Sequence, residues 1–217
     1  MFFVAIVIIA ILIVILTTKN TQTTPTPKVA ILFTTYNVPN REAMYRERLE
    51  WWRDNTSLPL YVVDSANRGF NMDGIREYKF EQLPNINGPT DTELFSLRHA
   101  FDHFEVEWEK FDYVFKITGK YVLPKLETVI NNIPTDVEMV LQSTYSKGEQ
   151  SSEIIGFRSS EMKQILMILS ADHQDPNQWL EKRLFNYTAS NFWRLPQLHI
   201  PKKYRTPRSD QSILSVL

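Results

Sequence analysis

The sequence predicts an α/β fold in which a mainly parallel sheet is flanked by helices. Short apolar runs rich in β-branched residues alternate with longer segments of helical spacing, and this alternation is typical of βαβ units. Several apolar runs end in polar loops, as at residues 113–117 (YVFKI), which stop at Thr118-Gly119-Lys120. Ligands of such sheets bind at the carboxyl ends of the strands. We therefore expect the polar residues that follow the strands to form the functional site.

Composition excludes several classes of protein. With 217 residues, of which 43% are hydrophobic and 23% charged, the chain is long enough for one substantial core and too short for two comfortable domains. The net charge of −1 argues against a general nucleic-acid binder, which normally carries a basic excess. The absence of cysteine excludes disulfides, thiolate-bound zinc and a cysteine nucleophile.

The amino-terminal segment has its own character. Residues 2–16 are an unbroken apolar run, and we interpret residues 1–18 as a transmembrane signal anchor, near the roughly 20 residues that a spanning helix needs. A cleaved signal peptide or a buried core helix is the alternative. Residues 19–28 (KNTQTTPTPK) predict a linker, and residues 29–217 the catalytic domain. We expect a single-pass membrane protein with this domain in the lumen.

The domain begins with a predicted βαβ unit. Residues 29–33 (VAILF) and 60–63 (LYVV) are continuous apolar runs and predict two buried strands, for which a parallel pairing is expected. Between them a helix begins at Asn40, a suitable N-cap, and ends near Asn55. Its predicted apolar face consists of Ala43, Tyr45, Leu49 and Trp52.

The remaining elements follow the same alternation. Residues 78–83 predict a short strand, and a helix begins at Thr90 or Asp91, either of which can cap it. Its predicted apolar face consists of Leu94, Leu97, Ala100, Phe101 and Phe104. After the central strand, residues 126–132, 161–169 and 176–186 predict helices, and residues 137–142, 153–157 and 192–200 predict strands.

Polar residues after three of the strands are the candidate site. The first strand contributes Thr34, Thr35, Tyr36, Asn37 and Arg41, the second Asp64 and Ser65, and the central strand Lys116, Thr118, Gly119, Lys120 and Tyr121, with Arg98 from the preceding helix. Hydroxyls, amides and cations around one carboxylate suit a phosphate-bearing ligand with a sugar attached. A lysine inside a buried strand also needs a carboxylate or an anionic ligand. The alternative is a surface hairpin whose lysines are hydrated.

Several common catalytic motifs are missing. The sequence contains no G-x-x-x-x-G-K-[ST], no G-x-G-x-x-G and no G-x-S-x-G, which disfavours P-loop nucleotide hydrolysis, dinucleotide binding and α/β-hydrolase chemistry. His99 and His103 are one helical turn apart. We interpret them as solvent-facing, with a metal-binding pair as the alternative.

Four stretches carry a resemblance to a known class. ILFTTYN, VVDSAN, SLRHA and YVFKITGKYVLP, in this order, look like the GT-A class of nucleotide-sugar-dependent glycosyltransferases. The KITGKY stretch is similar to the small glycosyltransferases of large algal viruses and of bacterial polysaccharide gene clusters. The resemblance covers most of residues 28–210. The resemblance implies that Thr34, Thr35, Tyr36 and Asn37 hold the nucleobase and ribose, that Asp64 contacts the base or ribose, and that Arg98 approaches the diphosphate or base.

The central strand departs from that class. GT-A enzymes carry an Asp-x-Asp metal motif where this chain has Lys116-Ile117-Thr118. Either a lysine replaces the positive charge of the metal, or other acids hold Mn²⁺ or Mg²⁺. We favour the lysine, because a fixed cation stabilises the charge that develops on a departing nucleotide.

A direct displacement also needs a base for the acceptor hydroxyl. The candidates are Glu181, Asp175 and Asp172, with Trp179 as a sugar-stacking platform; the alternative for Glu181 is a solvated helix face. His199 is a further candidate for binding phosphate or metal, and Lys202, Lys203, Arg205 and Arg208 form a basic tail.

These inferences lead to one functional expectation. The protein is expected to transfer a sugar from a nucleoside-diphosphate sugar to a glycan or glycoprotein acceptor, with no nucleic-acid partner. A sugar-phosphate nucleotidyltransferase and a non-catalytic glycan- or nucleotide-binding module are the alternatives.

Overall fold

The computed structural model describes residues 26–82, 88–134, 136–142, 144–146, 149–171, 179–187 and 192–194. The apolar run at residues 2–16, most of the linker, Asp172, Asp175, His199 and the basic tail lie outside these ranges. Within them, no helix has the length and apolar character needed to cross a membrane.

Within the described ranges, seven strands form one sheet and two more form a hairpin. The strands are β1 (Val29–Thr35), β2 (Leu60–Asp64), β3 (Ile75–Lys79), β4 (Tyr113–Thr118), β5 (Met139–Leu141), β6 (Thr144–Ser146), β7 (Glu149–Gln150), β8 (Ile154–Arg158) and β9 (Phe192–Arg194). The sheet order is β3-β2-β1-β4-β8-β5-β9, and β6 pairs with β7.

The sheet is mainly parallel, as predicted, with one reversed strand. β3, β2, β1 and β4 pair in parallel, and so do β5 and β9. β8 runs antiparallel to both of its neighbours, β4 and β5. Because β8 is reversed, its first residues lie beside the carboxyl end of β4, where Ile117 pairs with Ile154.

Helices cover both faces of the sheet. They are α1 (Pro39–Asn55), α2 (Gly88–His103), α3 (Glu105–Trp108), α4 (Leu126–Ile130), α5 (Met162–Ala171) and α6 (Leu180–Asn186). Alternate residues of β1 enter different cores, since Ile31 and Phe33 pack on the side of α1 and α4, whereas Ala30 and Leu32 pack on the side of α2, α3, α5 and α6. A strand buried on both faces explains why β1 is a continuous apolar run.

The predicted helix starts were wrong by one to three residues. α1 begins at Pro39 after Val38, so Asn40 lies inside the helix; proline suits this position because its fixed φ and missing N–H match the first turn. The predicted apolar face holds except for Ala43, which is exposed. α2 begins at Gly88, so neither Thr90 nor Asp91 is its cap.

One further prediction needs correction. The third strand is Ile75–Lys79 instead of residues 78–83, because the register with β2 pairs Leu60 with Ile75 and Asp64 with Lys79. This strand is an edge strand with polar residues, so it lacks the apolar run that marks β1 and β2.

Candidate active site

The ends of β1 and β2 are organised around Asp64. In the parallel register Thr35 lies beside Asp64, whose side chain is fully buried. Its Oδ1 accepts hydrogen bonds from Thr35 Oγ1 (3.2 Å) and Asn37 N (2.7 Å), and its Oδ2 from Arg68 N (3.0 Å) and Gly69 N (3.1 Å). Four donors satisfy this buried charge, so Asp64 holds two loops together from inside.

The loop after β1 combines one buried and one exposed side chain. Asn37 is fully buried and donates from Nδ2 to Gly69 O (2.6 Å), whereas its Oδ1 accepts no hydrogen bond from the described residues. The Tyr36 side chain is 44% exposed. An exposed ring on an ordered backbone is suited to stacking against a planar ligand group.

The loop between β2 and β3 is held by a second carboxylate. Glu77 accepts hydrogen bonds from Phe70 N (2.6 Å) and Asn71 N (3.0 Å). Together with Asp64, it therefore binds the backbone N–H groups of four consecutive residues, 68–71. Gly69 adopts a φ of +66° in this loop, which glycine adopts without strain. The loop beside Tyr36 and Asn37 is consequently rigid.

The turn after β4 comes very close to β1. Gly119 N donates to Thr34 O (3.0 Å), and a Cβ at Gly119 would lie 2.6 Å from Thr35 Cγ2 and 3.2 Å from Thr34 O. Only glycine allows this approach. Beyond it, the Lys120 ammonium lies 5.1 Å from the centroid of the buried Tyr121 ring, within cation–π range.

Lys116 is fully buried and compensated by a carboxylate. Its Nζ forms an ion pair with Glu93 in the first half of α2, and donates to Thr118 Oγ1 (3.1 Å) and Ser152 O (2.6 Å). An ammonium has three N–H donors, and these three partners account for all of them. The alternative of a surface hairpin with hydrated lysines is therefore wrong for Lys116. The expected carboxylate partner is Glu93.

Two further carboxylates lie at this end of β4. Glu181 Oε1 accepts a hydrogen bond from Ser152 Oγ (2.6 Å), so Glu181 is not part of a purely solvated helix face. Glu153 is attached to β4 through its carbonyl, which accepts from Thr118 N (3.0 Å). Burial raises the pKa of the Glu153 carboxyl, and Glu181 raises it further, whereas Lys116 and Lys120 lower it. The side chains of residues 116, 120, 153 and 181 therefore share one electrostatic environment.

The structure thus gathers most of the predicted residues at one sheet edge. Thr34, Thr35, Tyr36, Asn37 and Asp64 meet at the β1–β2 end, and Lys116, Thr118, Gly119, Lys120, Tyr121 and Glu181 meet at the β4 end. Arg41 is exposed in the first turn of α1, and Trp179 is 66% exposed immediately before α6. Asp175 and His199 lie outside the described residues.

Three predicted positions lie elsewhere or differ in environment. Arg98 is exposed and borders a surface pocket between α2 and α5, with Lys163 and Met167, so it is not brought to the other residues. His99 and His103 stack on Phe80 and Tyr78, with ring centroids 4.6 Å and 4.1 Å apart. His99 is partly buried, which lowers its pKa, and the interpretation of both as solvent-facing is wrong for this histidine.

Sequence reasoning missed Glu93, Ser152 and Glu153. The need of a buried lysine for a carboxylate pointed to a residue such as Glu93, but pairing it with Lys116 required the packing of α2 on the sheet. Ser152 and Glu153 precede a strand, and the start of a parallel strand would lie at the opposite edge. Only the reversal of β8 places them here.

Comparison with known proteins identifies the fold. No protein-family model and no curated protein matches the sequence. Among solved structures, a glycosyltransferase involved in the glycosylation of the major capsid of PBCV-1 matches with a TM-score of 0.51 and 11% identity, over 77% of this chain and 81% of that chain. The glycosyltransferase GlyE of Streptococcus pneumoniae TIGR4 matches with a TM-score of 0.51 and 9% identity, over 78% of this chain and 46% of that chain.

The chain shares its fold with glycosyltransferases. The resemblance noted in the sequence is therefore confirmed at the level of the fold. At identities of 11% and 9% the likeness concerns the fold alone, and the reaction has to be argued from the side chains of this chain.

Proposed function

We propose that this protein is a glycosyltransferase that moves a sugar from a nucleoside-diphosphate sugar to a hydroxyl group of a glycan or glycoprotein. One observation carries the proposal: two different groups of polar residues lie at the same edge of the sheet. The β1–β2 end offers an exposed aromatic ring on a rigid polar loop, and the β4 end offers a lysine beside two carboxylates. A donor that has a base at one end and a sugar diphosphate at the other fits this arrangement.

In this proposal the donor lies across the edge, with its base against Tyr36 and its diphosphate near Lys120. Tyr36 supplies a stacking surface, and Asp64 keeps the loop that carries it in place. The structure changes the role proposed for Lys116, because Glu93, Thr118 and Ser152 occupy its three donors. Lys120 is therefore the lysine of the turn that approaches the leaving group.

The transfer itself needs a base and a stabilised leaving group. The acceptor oxygen attacks C1 of the sugar, its proton passes to a carboxylate, and the bond from C1 to the diphosphate oxygen breaks. Besides Glu93, which is paired with Lys116, Glu181 and Glu153 are the described carboxylates near Lys116 and Lys120. The Lys120 ammonium stabilises the negative charge that appears on the departing diphosphate.

The described part of the chain does not contain a complete set of metal ligands. No group of three or more His, Asp or Glu side chains within it is arranged to hold a metal ion. Mn²⁺ or Mg²⁺ remains part of the proposal as a companion of the diphosphate, with His199 as the ligand to test.

Measuring the release of nucleoside diphosphate from a panel of nucleotide sugars tests the proposal. We expect turnover with at least one donor, and a fall in kcat of about 10²–10³-fold for Lys120→Ala, with the exposed Lys125→Ala as the matched control. Folded protein that turns over no donor contradicts the enzyme. Binding of donors without turnover favours the binding module, and release of pyrophosphate from a nucleoside triphosphate and a sugar phosphate favours the nucleotidyltransferase.

The same assay tests whether the activity requires a divalent metal ion. Activity that withstands EDTA supports a lysine-based stabilisation of the leaving group. Loss of activity with EDTA and recovery with Mn²⁺ assigns that role to a metal. Substitution of His199 by alanine then tests the proposed ligand, because loss of a ligand raises the Mn²⁺ concentration needed for half-maximal activity.

The proposal includes a membrane anchor at residues 1–18, which contain the apolar run at residues 2–16, and a lumenal catalytic domain. The length and uniform apolar character of this run support it. Full-length protein is expected to stay in the membrane pellet after extraction with alkaline carbonate, and to resist added protease in sealed vesicles. Release by carbonate contradicts the anchor, and digestion in sealed vesicles contradicts the lumenal orientation.

A further inference from the structure

Ser152 connects two charged side chains of the candidate active site. Its carbonyl accepts a hydrogen bond from Lys116 Nζ (2.6 Å), and its hydroxyl donates to Glu181 Oε1 (2.6 Å). Ser152 is itself buried. One residue therefore joins a buried lysine of the central strand to a carboxylate of α6.

The lysine side of this connection is fixed. Lys116 is fully buried and paired with Glu93, so moving it would expose a compensated charge pair. The next residue, Glu153, is hydrogen-bonded through its carbonyl to Thr118 N. The backbone of Ser152 is consequently held against the end of β4 from both sides.

The helix that carries Glu181 is fixed as well. Leu180 N donates to Thr90 Oγ1 (3.0 Å), and Arg183 is buried, pairs with Asp91 (3.0 Å) and donates to Leu169 O (3.1 Å). These contacts lie on either side of Glu181 and place its backbone. A glutamate side chain still has several rotatable bonds, and the hydrogen bond from Ser152 Oγ selects one orientation of its carboxylate.

We infer that Ser152 is a positioning residue for the transfer reaction, because it holds Oε1 of Glu181 and leaves Oε2 to take the proton of the acceptor hydroxyl. This inference rests on the proposed function. Its physical basis is that a base works only within hydrogen-bonding distance of the proton it removes, and misplacement by about 1 Å can cost about 100-fold in rate. Ser152 touches neither the donor nor the acceptor in this role.

The neighbouring serine provides a matched control. Ser151 is also buried, but its Oγ has no hydrogen-bond partner among the described residues. Ser151→Ala and Ser152→Ala therefore remove the same atom from adjacent buried positions, and only the second removes a contact with Glu181.

Steady-state kinetics of these two variants test the inference. We expect Ser152→Ala to lower kcat by about 10–100-fold with the KM for the donor within about twofold of wild type, and Ser151→Ala to keep both constants. Ser152→Thr retains a hydroxyl donor and is expected to recover most of kcat. Should Ser152→Ala not fold, Ser152→Cys replaces it, since a thiol is nearly isosteric but a weak donor.

A double variant separates positioning from general destabilisation. Because Ser152 acts through Glu181, adding Ser152→Ala to Glu181→Gln is expected to lower kcat no further. The positioning role is wrong if Ser151→Ala and Ser152→Ala have equal activity, or if Ser152→Ala raises KM alone. It is also wrong if the losses in kcat multiply in the double variant. Wild-type protein without turnover for any donor overturns the proposed function and this role together, so the two failures are distinguishable.

Discussion

Two fully buried charges, Asp64 and Lys116, stand at the same sheet edge and are neutralised in different ways. Asp64 is satisfied by one hydroxyl at the end of β1 and by three backbone N–H groups from the loops after β1 and β2. Lys116 is satisfied by a carboxylate of α2, a hydroxyl of its own strand and a carbonyl of the segment before β8.

The difference separates two functions within the proposed site. A carboxylate surrounded by backbone donors shapes loops locally, which suits the recognition of a nucleotide by a rigid surface. A lysine that contacts side chains and backbone from three segments ties distant parts of the fold together, and through Ser152 it reaches Glu181. We therefore expect damage at Asp64 to appear mainly in donor binding, and damage at Lys116 mainly in kcat.

Asp64→Ala is the substitution expected to have the largest effect. Each buried donor that is left unsatisfied costs about 1–3 kcal/mol. Three backbone N–H donors lose their acceptor, whereas Thr35 Oγ1 keeps the Val63 carbonyl as an acceptor. We expect the free energy of unfolding, measured by urea denaturation, to fall by about 4 kcal/mol or more, and donor binding to be lost. Asp73→Ala, an exposed acid of the same loop, is the control. If Asp64→Ala lowers the free energy of unfolding no more than Asp73→Ala does, the loops do not depend on Asp64.

Lys116→Met is expected to have the next largest effect. Removal of one partner of a buried ion pair costs about 3–5 kcal/mol, and we expect the lower end because the Glu93 side chain is 25% exposed. Glu93→Gln combined with Lys116→Met should recover part of this loss of unfolding free energy. Lys110→Met removes an exposed pair with Glu107 and is expected to cost at most about 1 kcal/mol.

The comparison also predicts that Lys116→Met affects kcat and leaves nucleotide binding intact. Lys116→Met protein that remains folded is expected to bind nucleoside diphosphate in calorimetry and to have a strongly reduced kcat. Loss of nucleotide binding alongside intact folding would remove the distinction between the two ends of the site.

Gly119→Ala tests the contact between the turn after β4 and the end of β1. Its Cβ would lie 2.6 Å from Thr35 Cγ2, and overpacking of this kind costs about 1–3 kcal/mol. Thr35→Ser removes Cγ2 and keeps the hydroxyl that binds Asp64, so the double variant is expected to recover much of the unfolding free energy. The single Thr35→Ser variant is the reference, and an absence of recovery would place the clash at Thr34 O or Tyr45 instead.

Glu153→Gln is expected to have the smallest effect on stability, and one that depends on pH. Burial raises the pKa of Glu153 above its ordinary value of 4.5, so the folded protein holds this proton more tightly than the unfolded chain. The resulting stabilisation is fully present below about pH 4.5 and is lost as the pH rises through the folded pKa. The neutral glutamine does not show this loss.

Urea denaturation at several pH values measures this difference. The unfolding free energy of Glu153→Gln relative to wild type is expected to rise with pH and then to level off. Glu109→Gln reports the effect of removing one negative charge from an exposed position. A relative stability that is constant across pH would contradict the raised pKa of Glu153.

Much of the β1–β2 end was predictable from the sequence. β1 and β2 are continuous apolar runs because both faces are buried, and the polar residues that end them are neighbours in the chain. Parallel pairing then brings Thr35 beside Asp64. The sequence did not reveal that Asp64 faces inward, because the donors that surround it are backbone groups.

The β4 end was predicted only in part. Lys116, Gly119 and Lys120 were recognised from a cationic turn after a buried strand, and the need for a compensating carboxylate followed from elementary electrostatics. The identity of that carboxylate depends on how α2 packs on the sheet. Residues 93, 116 and 152 are distant in the chain, and no local pattern links them.

The sequence by itself determined the alternation of strands and helices and the polar residues at the ends of β1, β2 and β4, since both follow from hydrophobic periodicity. The tertiary structure decided the direction of β8 and thus which residues complete the site. An apolar run such as residues 154–157 has the same pattern whether its strand runs parallel or antiparallel. Because β8 is antiparallel, Ser152 and Glu153 lie at the carboxyl end of β4, beside Lys116.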